Sequence, residues 1–156
     1  MFPTNFLALE RIGCQVEAGS KKRVLELLGS LLADTAPGLT QDSIFDRLLE
    51  RERLGSTGLG HGIALPHARM RDIDQAYGAF IQLSQGVDFD AIDSEPVDLL
   101  FALLVPEAAT QEHLQLLATL AGMFSNPEFC ANLRRASAPE DLLKQLTEHK
   151  LPPVEA

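Results

Sequence analysis

The chain has 156 residues, 46% of them hydrophobic, and 22 acidic against 13 basic side chains give a formal net charge of −9 at pH 7. That length suits one globular domain, and the acidic balance speaks against nucleic acid, whose phosphate backbone is held by lysine and arginine surfaces. The longest apolar run, Val97 to Val105, is broken by Asp98 and falls well short of the roughly 18 apolar residues of a membrane helix, so no membrane insertion is expected.

Met1-Phe2-Pro3-Thr4 lacks the basic-then-apolar order of a signal peptide. Cys14 and Cys130 stand far apart with no CxxC pair, which reads as two reduced, buried thiols in a cytoplasmic protein. Proline and glycine are scattered and no internal repeat occurs, so residues 1–156 read as a single domain with a short disordered tail from about 151, at Pro152-Pro153.

Ile12 to Val16 alternates apolar and polar residues as a half-buried strand does. Ser20 then caps a helix over about Lys21 to Ala33, with Val24, Leu27, Leu28, Leu31 and Leu32 turned inward. Thr40 caps a second helix, with Asp42 in its first turn and Ile44, Phe45, Leu48 and Leu49 as its stripe, running to about Glu52 and stopping near Gly55. From Gly55 to Pro66 the sequence GSTGLGHGIALP is a glycine-dense loop that enters a short buried strand, Ile63-Ala64-Leu65. Ala79 to Leu83 and Val97 to Val105 are further strands, the second apolar enough to lie centrally in a sheet. Asp88 to Ser94 connects them. After Pro106 a helical period sets in from about Gln111, with Leu114, Leu117, Ala118, Ala121 and Phe124 as its core stripe, and Asn126-Pro127 ends it. Two short helices follow, about Pro127 to Arg135 and about Glu140 to Glu148. Together these elements predict an α/β layered sandwich, a central sheet flanked by helices.

Arg51 to Arg69 concentrates four glycines, two hydroxyls, two histidines and three arginines in one loop-strand-loop unit. Glycines let backbone N–H groups converge on an anion, and Ser56 and Thr57 add hydroxyl donors, so the loop reads as built to hold negative charge, with the two hydroxyls as candidate phosphate-binding groups. The nucleotide motifs are missing: no Gly-Lys-Ser/Thr follows, and Gly58, Gly60 and Gly62 are spaced GxGxG, leading from a helix into a strand. His67 follows Pro66, which keeps Leu65 extended and displays the imidazole at a strand end. A neutral imidazole attacks phosphorus through one nitrogen while the other donates its proton to a fixed acceptor. The added phosphoryl brings roughly two negative charges, for which Arg51 and His113, the latter near a helix start, are the candidate partners. His61, His67 and His113 have no carboxylate or thiolate at ligand spacing, so neither metal nor cofactor is expected.

The stretches GSTGLGHGIALPHA, SEPVDLLFALLVPE and EHLQLLATLAGMF together resemble the nitrogen-regulatory IIA proteins of the bacterial phosphotransferase system, relatives of the fructose and mannitol IIA domains. The resemblance covers nearly the whole chain. It implies an α/β sandwich with a mixed sheet, and a phosphoryl carrier whose acceptor is the histidine of the GIA-[IL]-PH motif, here His67, usually on Nε2. It further implies an HPr-like phosphohistidine protein as donor, and that Arg51 and His113 are the family's active-site arginine and second histidine. The family often has Asn where His61 stands and Gly where Ala68 stands; His61 could then add a donor or a titrating group beside the phosphate. Downstream regulatory proteins are the implied readers of the phosphorylated and unphosphorylated states. The alternative is a sugar-specific, fructose- or mannitol-type IIA passing phosphate to a IIB domain; a hydrolase is disfavoured because no GxSxG motif occurs. Leu59, Ile63 and Met70 are the nearest apolar residues for a docking rim around His67, Ile63 being equally suited to the core.

Overall fold

Three helix starts are set by short polar side chains. Ser20 Oγ accepts the N–H of Arg23 at 3.2 Å and begins α1 (Lys21–Leu32). Thr40 and Ser43 each accept the other's backbone N–H at 3.1 Å, a reciprocal pair that begins α2 (Gln41–Leu54). After α3 (Thr110–Phe124), Asn126 Oδ1 accepts from the N–H groups of Glu128 and Phe129 and begins α4 (Pro127–Arg135). Each such cap is worth about 1 kcal/mol. α5 (Pro139–Glu148) opens on a proline, whose missing N–H would have had no helical partner in a first turn.

The structure is a computed structural model that describes residues 6–33, 35–71, 73–108 and 110–148, without the side chains of 110, 112 and 113. The tail expected from about 151 lies outside the described residues. Six strands, β1 (Ile12–Val16), β2 (Gly58–Gly60), β3 (Ile63–Ala64), β4 (His67–Met70), β5 (Tyr77–Val87) and β6 (Val97–Pro106), form one mixed sheet in the order β1-β5-β6-β3-β2. β5 and β6 are antiparallel, whereas β1 runs parallel to β5. β3 and β4 lie end to end along the other side of β6, both parallel to it, β3 against Leu99 and Leu100 and β4 against Leu103 to Pro106.

Strand alternation divides the core in two. On β6, Leu100, Ala102 and Leu104 pack toward Val24, Leu28, Ile44 and Leu48 of α1 and α2. Leu99, Phe101, Leu103 and Val105 pack toward Leu120 of α3, Leu133 of α4 and Leu142 of α5. Phe101 is fully buried, its ring centroid 5.8 Å from that of Phe6 and 6.3 Å from that of Phe80. The expected sandwich, a mixed sheet between helices, is what the chain forms, and Val97 to Val105 is indeed central.

Several local readings are corrected. The inward face of α1 is Val24, Leu25, Leu28 and Leu32; Leu27 and Leu31 are half-buried at its margin. The α3 stripe is rotated: Leu120, Met123 and Phe124 are buried while Leu114 and Ala118 face water, because the helix presents its Leu116-Leu120-Phe124 line to the sheet. The glycine-dense loop is partly a hairpin, with Gly58 paired to Ala64 and Gly60 to Ile63. β4 had no local signal, since HARM is a strand through its pairing with β6.

Candidate functional site

Gly60, His61 and Gly62 form the tip of the β2-β3 hairpin and all three have positive φ, 91°, 56° and 83°. Glycine takes this left-handed region without penalty, and asparagine is the next most tolerant residue, so His61 holds its conformation only because the tip is tied down. Asp93 Oδ2 accepts the His61 N–H at 2.8 Å, and Arg134 Nη2 donates to the His61 carbonyl at 2.8 Å. Arg134 is itself held by Asp98 through a two-pronged contact, each prong 2.9 Å. The clamp fixes the direction of β3 and of the segment that follows.

Beyond β3 the chain is registered by two backbone bonds: the Leu65 N–H donates to the Thr57 carbonyl (3.1 Å), and the Leu103 N–H to the Pro66 carbonyl (2.9 Å). His67 then opens β4, half-buried, with Nδ1 2.8 Å from the Leu65 carbonyl oxygen. A carbonyl can only accept, so Nδ1 carries the proton and the lone pair resides on Nε2. Burial is the largest influence on the imidazole and lowers its pKa below the usual 6.5. The Leu65 carbonyl and the Glu52 carboxylate oppose that shift, while Arg51 and Arg69 reinforce it. The ring is therefore neutral at neutral pH.

Arg47, Glu50, Arg51 and Leu54 of α2 and His67, Ala68 and Arg69 of β4 line one open cleft of about 300 Å³. Arg51 Nη1 donates to the Gly55 carbonyl at 2.8 Å, which caps the end of α2 and fixes the guanidinium beside the histidine. His67 and Arg51, expected to meet, are thus brought together. His113 falls in the first turn of α3, but its side chain lies outside the described residues. Ser56 and Thr57 are not brought to the cleft. Ser56 donates to the Phe89 carbonyl at 2.8 Å and accepts from the Gly58 N–H, and buried Thr57 donates its hydroxyl proton to Glu52. The expectation that these hydroxyls are donors to phosphate is corrected accordingly: both protons are committed to holding the loop. His61 lines other surface hollows, with Arg134, and is not among the residues of the His67 cleft. The docking rim also changes. Ile63 and Met70 are core residues, Leu59 does not line the cleft, and the exposed apolar side chain beside His67 is Leu54.

Three contributors were missed. Glu52, 6% exposed, receives Lys21 Nζ at 3.0 Å and the Thr57 N–H at 3.2 Å on each oxygen. Its contacts continue, through the Thr57 carbonyl, the Leu65 peptide and the Leu65 carbonyl, to His67 Nδ1. Only the long-range partner Lys21 identifies it, so sequence held no signal. Arg47 and Arg69 did have one: Arg47 is one helical turn before Arg51, and Arg69 is two strand positions after His67.

A neutral imidazole with a fixed tautomer, seated among guanidinium groups at the edge of an α/β/α sandwich, has the chemistry to receive a phosphoryl or similarly anionic group. Residues 5–149 match the family described as phosphoenolpyruvate-dependent sugar phosphotransferase system, EIIA 2, and the chain belongs to that family. It is therefore a phosphotransferase component. Its relatives include the nitrogen regulatory protein of Pseudomonas aeruginosa, 50% identical over 127 residues, 81% of this chain and 82% of that one. The nitrogen regulatory protein of Escherichia coli K12 is 43% identical over 147 residues, 94% of this chain and 87% of that one. Among solved structures, nitrogen regulatory protein IIA-Ntr from Neisseria meningitidis superposes with a TM-score of 0.86 at 46% identity, covering 90% of this chain and 96% of that one.

The His67 geometry makes a spectroscopic prediction. Nitrogen-15 and carbon-13 NMR of the imidazole will report the Nδ1–H tautomer and a titration midpoint below about 6.5. Arg51→Met will raise that midpoint by removing a nearby positive charge. A midpoint at or above 6.5 in the wild type would contradict the buried, arginine-flanked environment.

Proposed function

We propose that this chain is a phosphoryl carrier of the nitrogen-related branch of the phosphotransferase system, working in the cytoplasm. It accepts a phosphoryl group on Nε2 of His67 from an HPr-like phosphohistidine protein and serves as a regulatory signal to downstream target proteins. The observation that carries this reading is the Nδ1–H to Leu65 carbonyl contact at 2.8 Å, which directs the lone pair of a half-buried histidine to Nε2 inside an arginine-lined cleft. In the transfer the Nε2–P bond forms as the donor's N–P bond breaks, and the bonding pair returns to the donor nitrogen. Nδ1 keeps its proton throughout. The Leu65 carbonyl then stabilises the positive charge left on the phosphorylated ring, and Arg51 balances the phosphoryl oxygens. His113 is the second histidine of this reading, acting on phosphohistidine lifetime and transfer rate.

The regulatory assignment draws on relatives with 43 to 50% identity that carry that name. The sugar-specific reading, in which the phosphoryl group passes on to a IIB domain, is favoured by the family description and by a Haloferax volcanii relative named as a fructose-specific EIIA component, at the lower identity of 34%. Incubation with phosphoenolpyruvate, enzyme I and an HPr-type carrier is expected to leave acid-labile phosphate on the peptide containing His67, located by mass spectrometry at neutral or alkaline pH. Phosphate on another residue, or none, would overturn the assignment. Rapid onward transfer to a fructose- or mannitol-type IIB domain would replace the regulatory reading by the transport one.

A further inference from the structure

A phosphoryl group on His67 brings roughly two negative charges into a half-buried position, and Arg51 offers one positive charge with part of its fork already given to the Gly55 carbonyl. The remaining charge must be met by another group or by water. Two further guanidinium groups line the same cleft. Arg69 is two positions from His67 on β4, so both project to one face of the strand, while Ala68 and Met70 between and beyond them are buried on the other. Arg47 is four residues before Arg51 and shares its face of α2.

Among the described residues neither arginine is held by an ion pair elsewhere: the ion pairs join Lys21 to Glu52 and Asp90, Arg71 to Glu107, and Arg134 to Asp98. Glu50, which also lines the cleft, lies within ion-pair distance of neither. Three arginines against one glutamate, with His67 neutral, leave the cleft a formal charge of +2 in a chain of formal charge −9. An unpaired cationic cluster in an acidic protein is held against no structural need, and its charge is that of the group His67 would receive, with opposite sign.

Resting on the phosphoacceptor reading of His67, we propose that Arg47 and Arg69 complete with Arg51 a three-guanidinium cradle that holds the phosphoryl oxygens once the group is on Nε2. Guanidinium forks match tetrahedral oxyanions geometrically, and two partners on different elements can close on the group from opposite sides. Arg69 approaches along the strand and Arg47 across the cleft from the helix. The cradle acts on the product state, so it shifts the transfer equilibrium toward this chain and slows hydrolysis, leaving the identity of the nucleophile untouched.

The test uses Arg47→Met, Arg69→Met and the double variant, with Arg53→Met as control, since Arg53 is exposed on α2 and lies outside the cleft lining. Each protein is charged from a phosphorylated HPr-type carrier and freed of donor. Each single change is expected to shorten phosphohistidine lifetime about threefold and the double change about tenfold, the scale of a partly exposed ion pair per arginine. Phosphorus-31 NMR should show the phosphoryl group's last ionisation moving up in pH in both single variants, and Arg69→Lys should restore part of the shift. Arg53→Met should behave as wild type. Unchanged lifetime and unchanged phosphorus titration in the double variant would overturn the cradle while leaving His67 as acceptor. Slower charging with those two readouts unchanged would also overturn it, placing the arginines at the carrier's docking face. No phosphate on wild-type His67 would overturn the underlying reading and the cradle with it.

Discussion

His67→Ala is expected to lower phosphoryl acceptance at least about a thousandfold, to background, because among the described residues that line the cleft only His67 combines a lone pair with a fixed neutral tautomer. The fold should survive. His67 is half-buried at the start of an edge strand, and its Nδ1 hydrogen bond to the Leu65 carbonyl is worth about 1 kcal/mol. The pH dependence has a definite sign. A histidine whose pKa is lowered on folding stays neutral while the unfolded chain takes up a proton, so its contribution to stability is present above about 6.5 and is lost as the pH falls below it. The stability difference between wild type and His67→Ala should therefore narrow toward acid. Denaturant melts at pH 7.5 and 5.5, beside mass spectrometry of the charged proteins, measure both effects. Stoichiometric acid-labile phosphate on the variant would remove His67 from the mechanism.

Glu52→Ala should produce the largest stability loss of any single change near the site. The carboxylate is buried and gathers Lys21, the Thr57 N–H and the Thr57 hydroxyl, while Lys21 also lies over the Phe89 ring, 4.7 Å from its centroid. Removing one partner leaves a mostly buried ammonium and a buried N–H without their acceptor, which costs about 3 kcal/mol, at the low end for such pairs because Asp90 retains a contact with Lys21. For a chain of this size that corresponds to a fall in Tm of roughly 10 °C. Glu52→Gln keeps an acceptor for Thr57 and should lose less than half as much. Because the contacts run from Glu52 through Thr57 and Leu65 to Nδ1, the alanine variant should also broaden or mix the imidazole tautomers in nitrogen-15 spectra. A Tm within about 1 °C of wild type would show that the network carries no net energy.

These two residues sit at opposite ends of what could be read without coordinates. His67 stands in a local string, GIALPH, whose proline, together with the glycines and arginines around it, already suggests a candidate nucleophile beside an anion site. Glu52 belongs to an ordinary acidic and basic helix end and gains its role from Lys21, 31 residues earlier in the chain. Ser56 and Thr57 mislead for the same reason. A hydroxyl in a glycine-rich loop is a plausible donor to phosphate until a carbonyl from Phe89 or a carboxylate from Glu52 takes its proton.

The sequence by itself determined the elements whose signals are short-range. Ser20, Thr40 and Asn126 start helices because their side chains reach N–H groups two or three residues on, and the apolar runs in β5 and β6 are strands because only a doubly covered sheet can bury them. Tertiary structure alone decided the rest. β4 exists through its pairing with Leu103 to Pro106, and α3 turns Leu114 outward although its spacing suits a core stripe. The chemistry divides in the same way. The candidate histidine and Arg51 were legible in the local sequence, whereas the lowered pKa of His67 and the gathering of Arg47, Arg51 and Arg69 in one cleft with it were not. Those depend on α2 lying across β4, and electrostatic energy and desolvation follow distance through the fold, not separation along the chain.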